Sequence, residues 1–318
     1  MRLTPELIHQ FYDSYKNDAT MKRVSVFVCT LPVAMCEAFV PFNKPMLVIA
    51  TIRYEQARPE AAKWRALNGL LVNISHSPHG LVAANNLYDA KYIEYFTGIP
   101  PYVVPNFVAY IRDSYRPTRK QFLVAPIHST ELYEKLFGEF DSIIMRRHLD
   151  LVLYPLRQLY PQYRFSDLAA HPAVVYIPYQ VSMISLTEQY RMNIPLFFPT
   201  LDLLAKWHVE HGVVRQRTWA AYREQRSARS ALRGVAGSDV PDPNDDVDEA
   251  AVRHWLRYAD FYQWPHIIYY ESVEDLVDKM VTVDLDEISR RMREYNKRMR
   301  DEIKKIWSNI LVKMTTGT

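Results

Sequence analysis

AVVYIPYQVSMISLTEQYRMNIPLFFPT, Ala173 to Thr200, decides how the rest of the chain is read. It opens with a continuous apolar run, AVVYIP (173–178), and closes with another, IPLFFP (194–199). Between them the small polar residues Ser182, Ser185 and Thr187 open a helical segment that runs to Arg191. Runs apolar at every position suit strands buried on both faces of a parallel sheet, and strand–helix–strand is the unit that builds such a sheet. Ligands of open α/β sheets bind at the carboxyl ends of strands, and a helix N-terminus there offers free N–H groups to an anion. The stretch therefore predicts a phosphate site made without glycine. Glu188, on the same helix, is an acceptor suited to a pair of sugar hydroxyls, although its position fits a surface helix residue equally well.

Working outward, VSVFVC (24–29), PMLVIAT (45–51), LVAAN (81–85), QFLVAP (121–126) and HIIYY (266–270) read as further strands. Helical patterns separate them, among them Arg58 to Asn73 and Thr130 to Phe140. The alternation predicts an α/β fold in which a parallel sheet occurs twice. The polar, Arg-rich stretch IRDSYRPTRK (111–120), with Pro117, marks the boundary. The expected organisation is a domain over 1–118, a second over 119–283 with a charged insertion near 208–250, and a C-terminal helix over 284–318. In that helix Leu285, Ile288, Met292, Tyr295, Met299, Ile303, Ile306 and Ile310 recur at three- and four-residue spacing, behind a cap at Asp284 and Glu287.

Composition excludes several classes. The chain has 318 residues but only 8 glycines, about a third of the usual share, and neither a G-x-G-x-x-G turn nor a glycine-rich phosphate loop. Cys29 and Cys36 are its only cysteines, too few for a disulfide framework or a zinc ribbon. A net charge of +3 does not indicate a nucleic-acid protein. Residues 215–233 carry Arg215, Arg217, Arg223, Arg226, Arg229 and Arg233 against Glu224, and the acidic SDVPDPNDDVDE (238–249) follows. The two blocks are expected to offset each other, with the arginines on a solvated insertion helix; a nucleic-acid or membrane patch is the alternative. Val24 to Phe42 is interrupted by Pro32, Glu37 and Pro41 and reads as strand, turn and short helix rather than a membrane span. With no signal peptide or membrane segment expected, the chain as written reads as cytoplasmic, or as belonging to the Golgi or another secretory lumen if its natural form carries an N-terminal anchor.

In the N-terminal half, Arg53, Tyr54 and Glu55 follow one buried strand and Asn85, Asn86 and Asp89 follow another, so both groups are expected at the carboxyl edge of one sheet. Asp89 and Glu55 are the candidates for a base that takes a proton from an acceptor hydroxyl, with Arg53 and Asn86 beside them. Asp or Asn after a strand also serves as a turn or helix cap. Tyr88, Tyr92, Tyr95 and Phe96, at helical spacing, read as core. Asp284-Leu285-Asp286 follows the strand-like MVTV (280–283) and has the D-x-D form that holds a cation, but the cap reading of Asp284 is preferred. His208 and His211 lack the H-E-x-x-H arrangement, and no metal is expected.

The S-x-x-E-x-x-x-x-x-I-P-L-F-x-P spacing of Ser185 to Pro199 resembles the donor-site element of GT-B glycosyltransferases, especially exostosin-like ones of a largely uncharacterised family. FLVAPIHSTELYEKLF (122–137) resembles the first strand, loop and helix of a GT-B C-terminal domain, and CEAFVPFNKPMLVIATIRYE (36–55) and VAANNLYDAKYIEYFTGIPPYVVPN (82–106) resemble the N-terminal half of those proteins. The resemblance implies two Rossmann-like parallel-sheet domains facing a cleft, with the C-terminal helix crossing between them. It implies that Glu188 bonds the ribose of a nucleotide sugar while Ser182 and Ser185 lie near the diphosphate, with Tyr179 and Gln180 also at the donor site. His128, Ser129 and Thr130 would face the diphosphate, a helix N-cap by Ser129 or Thr130 being the alternative, and His128 or Arg191 would supply positive charge to it. Retaining families carry a glutamate eight positions before the ribose-binding one; here Gln180 stands there, which favours inversion or no catalysis. The expected function is metal-independent transfer of a sugar from a nucleotide diphosphate, a substrate rather than a cofactor, to a glycan or other hydroxyl acceptor. A noncatalytic GT-B-like interaction protein and a nucleic-acid binder using the Arg-rich segment are the alternatives. About 118 residues before the linker are few for a GT-B N-terminal domain, so a shortened acceptor side is also expected.

Overall fold

The computed structural model describes residues 3–55, 60–219, 226–235, 237 and 239–316. The chain divides into two compact units, the first made of Met1–Pro105, Ser230–Asp242 and Glu302–Thr318, the second of Asn106–Arg229 and Pro243–Asp301. Each contains one parallel sheet, as the alternation of apolar runs and helices predicts. The first sheet comprises β1 (Phe27–Cys29), β2 (Met46–Ala50), β3 (Gly80–Ala84) and β4 (Tyr102–Val103), in the order β1-β2-β3-β4. The second comprises β5 (Phe122–Val124), β6 (Leu153–Pro155), β7 (Val174–Val175), β8 (Leu196–Pro199) and β9 (Ile268–Tyr270), in the order β6-β5-β7-β8-β9. All seven expected runs contain a strand; β4 and β6 are additional. Both lie at sheet edges.

The first unit shows why its core needs the end of the chain. In a sheet whose strands follow chain order, crossovers of one hand put every connection on the same face. Helix Ala61–His76 lies against β3 and buries Trp64, Leu67, Leu71 and Ile74. Alternate residues of the central strands, Leu47 and Ile49 on β2 and Leu81 and Ala83 on β3, instead cluster with Ile310 and Met314 of helix Leu285–Thr316. Ile306 and Trp307 pack against the same cluster. The first part of that long helix belongs to the second unit, where Met292 is buried and the Asn296 amide donates to the Tyr190 carbonyl at 2.9 Å and to Asn193 Oδ1 at 2.8 Å.

Several expectations change. Residues 106–118 join the second unit rather than the first, and residues 230–242 of the charged insertion join the first. The latter are anchored by the Val235 N–H donating to the Tyr95 carbonyl at 2.9 Å, beside Gly234, where a Cβ would meet the Tyr95 ring at 2.3 Å. MVTV is not a strand: Met280 to Thr282 end helix Val273–Thr282, and Asp284 Oδ1 accepts the Glu287 N–H at 2.9 Å as a helix cap. Helix Ala61–His76 starts later than expected, and Arg58 lies outside the described residues.

The Arg-rich segment is corrected most. Arg217 is 0% exposed and its guanidinium contacts Asp246 Oδ1 through Nη2 at 2.6 Å and Nε at 3.1 Å. Thr218 donates to Asp246 Oδ2 at 2.8 Å, and His208 Nε2 lies 3.1 Å from Oδ1. Because the Val214 N–H donates to His208 Nδ1, the imidazole carries its proton on Nε2 and is neutral. Burial, foremost, holds its pKa below the usual value. Burial opposes ionisation of Asp246, but the Arg217 charge, with the His208 bond next, outweighs it and holds that carboxyl at about 2. Arg217 from the basic block and Asp246 from the acidic one thus pair inside the second unit, and Arg217 is committed to the core rather than to a surface. Arg223 and Glu224 lie outside the described residues.

Candidate functional site

The order of the second sheet locates the site. From β5 the chain moves out to β6 and then returns to β7 on the other side of β5, so the strand order reverses between β5 and β7. Loops leaving the carboxyl ends of two such strands diverge, and the gap is a crevice. A cavity of about 200 Å³ occupies it. Pro126 and His128 line it after β5, Arg157 after β6, Tyr176 and Tyr179 after β7, and Ser185 and Gln189 come from helix Ile184–Arg191. That volume is below the roughly 300–1,000 Å³ of sites that enclose a whole small molecule, so it fits part of a ligand.

The helix is aimed by its sequence. Met183 stands at its N-cap, where a thioether offers no oxygen, and no side chain caps the first turn. Ser185 and Gln189, four residues apart, share the face turned to the cavity. The buried Gln189 side-chain oxygen Oε1 and the buried Tyr176 hydroxyl have no well-formed hydrogen bond among the described residues, although the Ser185 and Gln189 side chains lie near enough to the hydroxyl to favour its ionised form. Leaving such a group unsatisfied costs about 1–3 kcal/mol, so these two give the cavity wall polar groups that a ligand can partner. Burial pushes the Tyr176 hydroxyl far up, keeping it protonated and able to donate.

Of the residues expected at the donor site, the cavity gathers Ser185, Tyr179 and His128. The His128 ring meets Tyr179 edge-on at 4.5 Å. Partial burial and then the Arg215 charge lower its pKa, so near neutral pH it is a neutral donor or acceptor and not the expected cation. Arg157, which stacks over Tyr163 at 5.0 Å, supplies the positive charge on the cavity wall. Gln180 is buried on the loop after β7, and half-buried Ser182 precedes the helix cap. Ser129 is itself a cap, its hydroxyl accepting the Leu132 N–H at 3.3 Å at the start of helix Thr130–Arg147. Arg191 is not brought to the cavity. It ends the helix, stacks on Phe107 at 4.1 Å and donates through Nη1 to Asn296 Oδ1 at 3.1 Å. Glu188 does not line the cavity either; its carboxylate accepts a hydrogen bond from Tyr110 at 2.5 Å.

In the first unit the two groups expected together do meet, after β2 and β3. Arg53, Glu55, Asn86 and Asp89 are all buried, Asp89 to 1% exposure. Arg53 Nη1 lies 3.7 Å from Asp89 Oδ1, and the Asn86 amide donates to Asp89 Oδ2 at 2.6 Å. Asn86 also caps helix Leu87–Thr97, its side-chain oxygen accepting the Asp89 N–H at 2.7 Å. Glu55 accepts from Tyr92 at 2.7 Å through Oε1, while Oε2 has no hydrogen-bond partner among the described residues. Burial, foremost, pushes the Glu55 carboxyl up to about 7, against the Tyr92 bond that favours ionisation.

Sequence reasoning missed Tyr176, Gln189 and Arg157. Tyr176 is hidden inside an apolar run, and Arg157 follows the unread strand β6. Gln189 carried a legible signal, the four-residue step from Ser185. Among the described residues no group of three or more His, Cys, Asp or Glu side chains could hold a metal ion, and no helix is long and apolar enough to cross a membrane.

No protein-family model and no curated protein matches the chain. Among solved structures it is similar to the glycotransferase of kitacinnamycin, with 12% identity, a TM-score of 0.39, and 94% of this chain and 79% of that one covered. It is also similar to CalG4, the calicheamicin glycosyltransferase, with 13% identity, a TM-score of 0.36, and coverage of 94% and 76%.

Proposed function

We propose that the chain is a glycosyltransferase of GT-B type that moves a sugar from a nucleotide diphosphate to a hydroxyl acceptor. The observation that carries this reading is the cavity at the reversal between β5 and β7, with an uncapped helix N-terminus and two unsatisfied buried polar atoms on its wall. The first-turn N–H groups of helix Ile184–Arg191 and the Arg157 guanidinium are suited to a diphosphate, and most of all to the charge it gains on leaving. Tyr176 and Gln189 offer a donor and an acceptor to a planar ring edge. Glu188, which does not line the cavity, is the residue we assign to a ribose hydroxyl on the strength of the sequence.

Of the two carboxylates proposed as base, Glu55 fits better. Its carboxyl is held near 7, where a general base works best, and one of its oxygens is unengaged among the described residues. Asp89 Oδ1 also has no hydrogen-bond partner among the described residues, but it faces the Arg53 guanidinium at 3.7 Å, and Oδ2 accepts from Asn86. Inversion and independence from metal remain part of the proposal and rest on Gln180 and on charge supplied by the chain itself. The burial of both carboxylates favours a second reading, a nucleotide-binding protein without transfer.

Calorimetry with a panel of nucleoside diphosphates and nucleotide sugars tests the donor site. Glu188→Ala is expected to weaken nucleotide binding by roughly 1.5–3 kcal/mol, about tenfold to a hundredfold, with Glu188→Gln losing less. Unchanged affinity in folded Glu188→Ala ends the assignment of that residue, and no binding by any nucleotide ends the enzyme reading.

A further inference from the structure

We propose that the first unit carries a second ligand site, for a carboxylate with an apolar body. A cavity of about 390 Å³ lies at the amino ends of β3 and β4, the opposite edge of that sheet from Arg53 and Glu55. Its volume falls in the roughly 300–1,000 Å³ range of small-molecule sites. Val72 on helix Ala61–His76, Leu81 on β3, Ile99 and Tyr102 give it apolar walls, and Lys313 on helix Leu285–Thr316 gives it charge. The site is independent of the nucleotide reading.

The sequence leaves the sheet open at this place. The Asn85 N–H donates to the Ala50 carbonyl and the Val104 N–H to that of Ala84, each at 2.8 Å. Odd-numbered residues of β3 therefore bond β2, and even-numbered ones turn their main-chain groups to β4. β4 pairs only with Ala83 and Ala84. Two residues back the ladder would need an N–H from residue 100, and Pro100 has none. Pairing stops there, and Val82, which lines the cavity, turns to it an N–H that no backbone carbonyl accepts among the described residues.

Lys313 is the second donor. Its ammonium lies 5.5 Å from the centroid of the Tyr102 ring and makes no ion pair among the described residues, and no Asp or Glu lines the cavity. Two helix ends bring partial negative charge to the same wall, but hydrogen bonds engage their carbonyls. That of Ile74 accepts the Ser77 N–H at 3.1 Å, that of Glu94 the Gly98 N–H at 2.8 Å, and that of Ile93 the Thr97 hydroxyl at 2.7 Å. The half-buried ammonium thus sets the sign of the wall. A carboxylate accepts from an ammonium and from a main-chain N–H, and a charge-assisted bond is the stronger kind. An apolar chain or ring behind it covers Val72, Leu81 and Ile99.

The test titrates the full chain with octanoate, octan-1-ol and octylamine by calorimetry. Octanoate should bind at least about tenfold more tightly than the alcohol. Lys313→Gln, which keeps the stem and removes the charge, should weaken octanoate at least about fivefold and the alcohol less than about twofold. Val72→Trp, which fills the cavity, should weaken both. Octanoate should also slow acetylation of Lys313 by acetic anhydride relative to that of exposed Lys297, read by peptide mass spectrometry. The inference falls if octanoate and octan-1-ol bind alike, if octylamine binds more tightly than either, or if no probe binds. It also falls if folded Lys313→Gln or folded Val72→Trp binds octanoate as the unsubstituted chain does, or if Lys313 gains no protection.

Discussion

The first sheet keeps chain order, β1-β2-β3-β4, whereas the second reverses between β5 and β7. At the carboxyl edge of the first, Arg53, Asp89, Asn86 and Glu55 are buried, with Asn86 bonded to Asp89, while Glu55 Oε2 and Asp89 Oδ1 have no hydrogen-bond partner among the described residues. At the carboxyl edge of the second, diverging loops leave a cavity with polar atoms unsatisfied on its wall. Similar parallel sheets thus differ in what their edges can do. Without a reversal, consecutive loops lie side by side; with one, they diverge and leave a crevice.

The sharpest way to break this comparison is at Arg217, which ties the charged segment into the second unit. Arg217→Ala leaves Asp246 buried without its guanidinium, and the loss should be about 3–5 kcal/mol in urea unfolding. A loss under about 1 kcal/mol would return that segment to solvent, as the sequence suggests.

Glu55 tests the closed edge of the first unit. Its carboxyl, held up to about 7, keeps a proton that the unfolded chain loses near its ordinary 4.5. The folded state is the more protonated one between those values, so stability should fall as pH rises from about 4.5 through about 7, by on the order of 3 kcal/mol. Glu55→Gln should flatten that slope. An unaltered pH profile would mean that the carboxyl is hydrated and the edge open.

Ser129 gives the smallest effect and separates caps from ligand groups at the second edge. Ser129→Ala should cost about 1 kcal/mol through the lost helix cap and leave nucleotide affinity within threefold. A larger drop in affinity would restore Ser129 to the donor site.

Much of the fold was legible because long-range order is written in local runs. MLVIA and GLVAA form strands buried on both faces, and AVVYIP and IPLFFP contain β7 and β8. Of the edge strands, β1 and β9 were read from VSVFVC and HIIYY, whereas β4 and β6 were not. Glu188, Ser185 and His128 could be found because they stand at a strand end or on the helix that follows. Whether Ser129, Asn86 and Asp284 were caps or ligand groups was open in the sequence, because the same residue types serve both purposes; hydrogen bonds to backbone N–H groups decided for caps.

The sequence by itself determined the class of fold, two parallel sheets of alternating strands and helices, because burial on both faces leaves its mark on every residue of a central strand. Tertiary structure alone decided which charges were structural. Arg217 and Asp246 are distant in the chain, and no periodicity links them; they pair because a buried charge is tolerated only beside its opposite. It also decided that Tyr176 and Gln189 share a cavity wall with Ser185, and that Tyr110 engages Glu188. Strand order sets where loops diverge, and strand order is a property of pairing that local sequence does not carry.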